Sequence, residues 1–248
     1  SVIAISIQSM NYGDIPITTV ENPEGNIGFF SPRTNVFNIG YARTFSSSIS
    51  GGINFKVISE NISNLKATGI AIDAGIRYVT GEQEQVKFGI TLKNVGPVMK
   101  YKGDGLAQQA AYVTTGFIAS LEERSSAFEM PSLLSIGGSY DFIFNESNKL
   151  NLGLGFTANS FSNDQYRIGL DYGMTNERMA FNIRGGYVYE KNLLDVENRS
   201  NALVGPTAGF SIDALVGKSK NALGVEYCAR FAGVFGTIHT IGATINLK

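Results

Sequence analysis

One histidine and one cysteine occur in the 248 residues, His239 and Cys228. A zinc site needs three or four imidazole, thiolate or carboxylate ligands converging on one point, and no His cluster exists to build it. With a single cysteine no intrachain disulfide forms. A hydrolytic Ser–His pair would need a serine beside His239. The C-terminal segment alternates His239, Ile241, Ala243, Ile245 and Leu247 on one face. Its neighbour in sequence offers Tyr227, Ala229 and Phe231 to that face, with no serine. His239 therefore reads as an interfacial polar residue, and Cys228, on the opposite face, as a small filler. The paired glycines Gly51–Gly52, Gly137–Gly138 and Gly185–Gly186 are not phosphate cradles, because no helix follows them. They mark bends, bulges or a close approach by another segment. No catalytic, cofactor-binding or metal-binding residue is assigned, no cofactor is expected, and the chain reads as non-enzymatic.

The remaining reactive groups are charges, and their spacing says what must hold them. Between Gly69 and Tyr78, one face carries Ile70, Ile72, Ala74, Ile76 and Tyr78, the other Gly69, Ala71, Asp73, Gly75 and Arg77. Successive side chains of a strand point to opposite faces, so this segment is a strand with one apolar and one polar side. The same alternation predicts twelve strands, near 1–10, 34–46, 48–59, 66–80, 84–96, 132–145, 148–160, 163–175, 178–190, 205–217, 220–231 and 238–247. Outward fall Val86, Phe88, Ile90 and Leu92, then Leu150, Leu152, Leu154 and Phe156, then Tyr166, Ile168, Leu170 and Tyr172. Inward fall Lys56, Asp73, Arg77, Lys87, Lys93, Asp141, Arg167, Asp171, Arg184, Asp213, Glu226 and Arg230. Charges of both signs on one enclosed face must pair or meet water, so Asp73 is expected to meet Arg77 or another base, and Asp171 to meet Arg167 or Arg184.

A soluble β-sandwich also alternates. The links decide between the two. Tight turns around Ser47, 81–83, 146–147, 176–177 and 218–219 take turns with longer links at 11–33, 60–65, 97–131, 191–204 and 232–237; only the hairpin at 161–162 is short on the long side. That layout belongs to an antiparallel transmembrane β-barrel, with short periplasmic turns and long extracellular loops. Net charge is −1 with 17% charged residues, which leaves no basic surface for a nucleic acid. No apolar run approaches the roughly 18 residues of a membrane helix. The first residues already read as a strand and no export signal precedes them, so an upstream stretch is expected.

Five stretches, taken together and in order, resemble the PorV/PorQ family of outer-membrane proteins, relatives of FadL-type barrels. They are Asn38-Ile39-Gly40-Tyr41-Ala42-Arg43, Gly69-Ile70-Ala71-Ile72-Asp73-Ala74-Gly75, Leu92-Lys93-Asn94-Val95-Gly96-Pro97, residues 128–137 (Phe128-Glu129-Met130-Pro131 onward) and Gly205-Pro206-Thr207-Ala208-Gly209-Phe210. The resemblance implies one barrel domain over 1–248 in a Gram-negative outer membrane, fourteen strands in the complete protein, and an N-terminal hatch and first hairpin lying outside these twelve strands. The ending Asn246-Leu247-Lys248 departs from the usual aromatic terminus of outer-membrane barrels.

The resemblance further implies an accessory role in type IX protein secretion, with a large translocon barrel and secreted cargo proteins as partners and outer-membrane lipid as surroundings. The alternative is a FadL-like channel for hydrophobic small molecules. Loops as long as 11–33 and 97–131 are uncommon without a job. Their apolar groups Tyr12, Phe29, Phe30, Tyr112, Phe117 and Phe128 are the expected partner-binding residues. For a shuttle they face outward to a cargo domain; for a channel they fold over the mouth and line a pocket.

Overall fold

The alternating segments become strands along most of the chain. The computed structural model describes residues 1–111, 118–192, 201, 203–216, 221–233 and 236–246. Its strands are β1 Val2–Asn11, β2 Ile15–Pro16, β3 Phe29–Phe30, β4 Arg33–Thr44, β5 Ile49–Ile62, β6 Leu65–Thr80, β7 Val86–Val95, β8 Tyr101–Lys102, β9 Ala107–Ala111, β10 Ile118–Glu122, β11 Leu133–Ile143, β12 Asn148–Asn159, β13 Gln165–Thr175, β14 Met179–Glu190, β15 Gly205–Val216, β16 Asn221–Phe231 and β17 Thr237–Asn246. A 3-10 turn lies at Asp104–Leu106. Twelve strands follow one another through a single antiparallel sheet in the order β1-β4-β5-β6-β7-β11-β12-β13-β14-β15-β16-β17, and β8 adds to β6 as its thirteenth member. These twelve are the ones the alternation predicts, with ends shifted by a few residues.

Register keeps the two faces apart. Leu154 lies opposite Ile168 and Ile168 opposite Tyr187; Asp171 lies opposite Arg184 and Cys228 opposite Thr240. A one-residue slip anywhere would exchange the faces. On the apolar face Ile70, Phe88, Leu154, Ile168 and Val225 are exposed, Phe88 by 55% and Val225 by 58%. Among the described residues the fully buried apolar side chains are Ala67, Ala71, Met99, Val204 and Ala232. That is no sandwich core. So large an exposed aliphatic surface is stable against hydrocarbon and not against water.

The links 45–48, 144–147 and 176–178 are short, as the sequence predicts, whereas the link expected to be tight at 81–83 runs over 81–85 and is as long as the one at 232–236. The link expected to be long at 60–65 is the two-residue turn Ser63–Asn64 between β5 and β6. Ser63 takes φ 51, and this left-handed step lets pairing run to the end of β5.

The chain forms two compact units: residues 1–43, 52–74 and 93–131, and residues 44–51, 75–92 and 132–248. Each is described by itself below.

Candidate functional site

In the first unit the segment after β7 turns back onto the sheet. Asn94 takes φ 60, which ends the regular course of β7. Gly96 follows against the Ile70 carbonyl and the Met130 methyl, where a Cβ would collide with both. The chain then drops Met99 onto Gly69: a Cβ at residue 69 would stand 2.6 Å from Met99 Cγ. Glycine is required there by close approach, and Met99 is 1% exposed in consequence. Met99 and Phe128 exchange both backbone hydrogen bonds, at 2.7 and 2.9 Å. Tyr101 stacks on Phe128 with ring centroids 5.3 Å apart, while β8 pairs with Lys66 and Ala67 of β6. The two ends of the long link thus form a strap, 97–103 with 126–131, fastened to the polar face.

A ladder of polar side chains leads to that strap across β1, β4, β5, β6 and β7. Asn38 donates to Ser6 at 3.1 Å, and Asn54 donates to Asn38 at 3.4 Å and to Asp73 at 3.3 Å. Lys56 pairs with Asp73 at 2.7 Å and donates to Asn94 Oδ1 at 2.8 Å. Asn94 gives its backbone N–H to Asp73 at 2.8 Å and its side-chain amide to the Pro131 carbonyl at 2.9 Å. Half-buried charges are tolerated because each is bonded.

Between ladder and strap lies a cavity of about 340 Å³. Val36, Ile58, Met99, Phe128 and Met130 supply its apolar wall; Lys56, Glu60, Asn94 and Glu129 bring the polar end. Tyr101 donates its phenol O–H to Glu60 at 2.7 Å. Burial, then that hydrogen bond to a carboxylate, push the Tyr101 phenol up to about 12.

The second unit carries the other charge set. Lys87 pairs with Asp141, which also accepts from Asn151. Arg184 meets Asp171 at 2.9 Å and Glu226 at 3.7 Å. Asn151, Asp171, Arg184 and Glu226, with the glycines 153, 169, 186 and 209, border a cavity of about 580 Å³. Asp171 therefore pairs with Arg184, one of its two expected partners, and Asp73 with a base on the adjoining strand. Cys228 is a free thiol on this polar face. His239 lies on the apolar face, where its Nδ1 and the Tyr227 hydroxyl are 2.6 Å apart and the rings stack at 6.0 Å. Its bonded neighbour is thus a phenol and not a serine.

The six aromatic loop residues come to different places. Tyr12 is 58% exposed and Phe29 69%, the latter on the small β2–β3 hairpin beside half-buried Phe30. Phe128 lines the cavity. Tyr112 and Phe117 lie outside the described residues. Sequence reasoning gave no role to Lys56 with Asn94, to Glu60, to Met99 or to Tyr101. The signal that could have found them is Asn94-Val95-Gly96-Pro97, a cluster of turn formers at a strand end.

No protein-family profile matches the sequence, and no curated protein matches it. Solved structures do. The toluene transporter TbuX of Ralstonia pickettii superposes with TM-score 0.55 at 12% identity, covering 98% of this chain and 76% of its own. The toluene transporter TodX of P. putida gives 0.55 and 12% with the same coverage. A Pseudomonas aeruginosa FadL homologue gives 0.52 at 11% identity, covering 98% and 72%. The chain thus has the fold of these Gram-negative outer-membrane β-barrels, with an exposed apolar face of the kind such barrels turn to lipid.

Proposed function

We propose that this chain is a non-enzymatic outer-membrane channel for small apolar molecules. The observation that carries the reading is the strap. The 97–131 link does not hold Met99 and Phe128 out to water or to a partner. It folds them onto the polar face and encloses a cavity with them. An apolar pocket with a few convergent polar groups suits a small ligand. Two of the structural neighbours are toluene transporters by description, which supports the same reading by analogy of fold.

Uptake tests it. Gram-negative cells carrying the chain in their outer membrane should admit an apolar dye, N-phenyl-1-naphthylamine, several-fold faster than control cells. Ile58→Trp, which fills the cavity, should remove the gain at equal barrel level. Uptake that expression does not change, at confirmed membrane levels, would sink the proposal.

A second reading is an accessory barrel of type IX secretion that binds a translocon barrel and cargo domains. It is supported by the ordered likeness of five segments to the PorV/PorQ family and by the exposure of Tyr12 and Phe29, groups that gain little by facing water. Recovery of a large barrel and a cargo C-terminal domain with the protein in mild detergent, lost on replacing Tyr12 and Phe29 by serine, would favour it.

A further inference from the structure

The strap cavity also indicates which molecules it would take, given the channel reading on which this inference rests. Three charged side chains border it: Lys56, Glu60 and Glu129. Two of the three ammonium donors of Lys56 are already engaged. Its ammonium pairs with Asp73 at 2.7 Å and donates to Asn94 at 2.8 Å. The amide of Asn94 is directed to Pro131 and that of Asn38 to Ser6. Carboxylate acceptors outnumber the donors that remain, one N–H of Lys56 and the Gln8 amide. Glu60 receives one hydrogen bond, from Tyr101 to Oε2, and an ionised carboxylate has about four acceptor positions. Glu129 is exposed at the rim.

A ligand with a carboxylate head would find two like charges and one cation that Asp73 has neutralised, so its charge would be disfavoured. A head that donates hydrogen bonds, above all an ammonium, would find vacant carboxylate oxygens and a charge-assisted bond. The body of the ligand would lie between Met99, Met130 and the ring of Phe128, and thioethers and rings favour an aromatic group. We propose that this cavity is a binding site for small arylalkylamines, tolerating the neutral alcohol and excluding the corresponding carboxylic acids.

Three probes with matched bodies test it on the full chain in detergent at pH 7: 2-phenylethylamine, 2-phenylethanol and 3-phenylpropionate, measured by calorimetry. The amine should bind at least tenfold more tightly than the acid, with the alcohol between. Glu60→Gln should bring the amine down to the alcohol, and Ile58→Trp should remove all three. Glu129→Gln, at an exposed position, should narrow the amine–acid gap even if Glu60→Gln does not fold. An acid that binds as well as the amine, through a site that Ile58→Trp removes, overturns the amine assignment and leaves the channel reading standing. Absence of binding by every probe, or binding that Ile58→Trp leaves unchanged, overturns the cavity as a ligand site and the channel reading with it.

Discussion

Asp73 Oδ1 accepts the backbone N–H of Asn94 at 2.8 Å, at the residue where β7 passes to φ 60. A non-glycine residue held in that region costs about 1–3 kcal/mol. The carboxylate offsets the cost by bonding the displaced amide, and Lys56 ties both residues together. The bend that launches the strap therefore depends on a charge carried by the neighbouring strand.

Asp73→Asn should loosen the strap before it unfolds the sheet. The amide keeps one acceptor but leaves the Lys56 ammonium, 16% exposed, without its counter-charge. Removing one partner of a buried pair costs about 3–5 kcal/mol, and partial exposure brings the expectation to about 2 kcal/mol. Limited trypsin digestion should cut at Lys100 or Lys102 faster than in the parent protein while heat-modifiable gel mobility persists. Unchanged digestion rates would show that the strap is held by other means.

Asp73 also shows how far the sequence reaches. Alternation placed it on the polar face with Arg77, and both are there. Yet residues four apart on a strand stand about 13 Å from each other, so Arg77 cannot serve as its partner, whereas Lys56 on β5 can. Asp171 and Arg184 were easier to read, because they fall opposite each other in the register of one tight hairpin. The strand set and its two faces were legible because a period of two survives in every segment. The cavity was not, because it depends on Met99 meeting Gly69 across thirty residues of chain and on the strap choosing the polar face over solvent. No periodicity encodes that choice.

The contact of Met99 with Gly69 can be tested by complementarity. Gly69→Ala puts a methyl within 2.6 Å of Met99 and should cost about 1–3 kcal/mol by overpacking. Met99→Ala empties a buried site and should cost about 2–5 kcal/mol. The double variant should cost clearly less than the sum, with a coupling of about 1 kcal/mol or more. Urea titrations of the refolded protein in micelles measure all three. Strict additivity would mean that the two side chains do not share the space.

Alkaline pH gives a test at Tyr101. Its phenol is raised from 10.0 to about 12, so the folded state holds its proton more firmly than the unfolded chain does. The stabilisation is complete below pH 10 and is lost as pH climbs through about 12. Exchange of the Met99 and Phe128 amides should accelerate over that window beyond the ordinary base catalysis seen at other sheet amides. Tyr101→Phe, which has no proton to lose, should abolish the excess while starting from a weaker strap at neutral pH. An excess of equal size in that variant would assign the effect elsewhere.

The assignment of faces can be tested with two neighbours on the wall. Ile168 is 49% exposed on the apolar face, and Asn151 borders the polar cavity near Asp171. If the apolar face meets hydrocarbon, Ile168→Arg carries a guanidinium into lipid near mid-strand, and the expected cost is about 2–4 kcal/mol. Asn151→Arg adds a charge among carboxylates and water, beside Asp141 and Asp171, and should cost less than about 1 kcal/mol. Refolding into phosphatidylcholine vesicles across a guanidinium series gives both values in the medium that matters. In detergent-free water a soluble protein would treat an exposed Ile168→Arg as harmless, so the two hypotheses predict opposite orders for one pair of variants. A smaller penalty at residue 168 than at residue 151 would reverse the faces and place the charged ladder against lipid, where its desolvation could not be met.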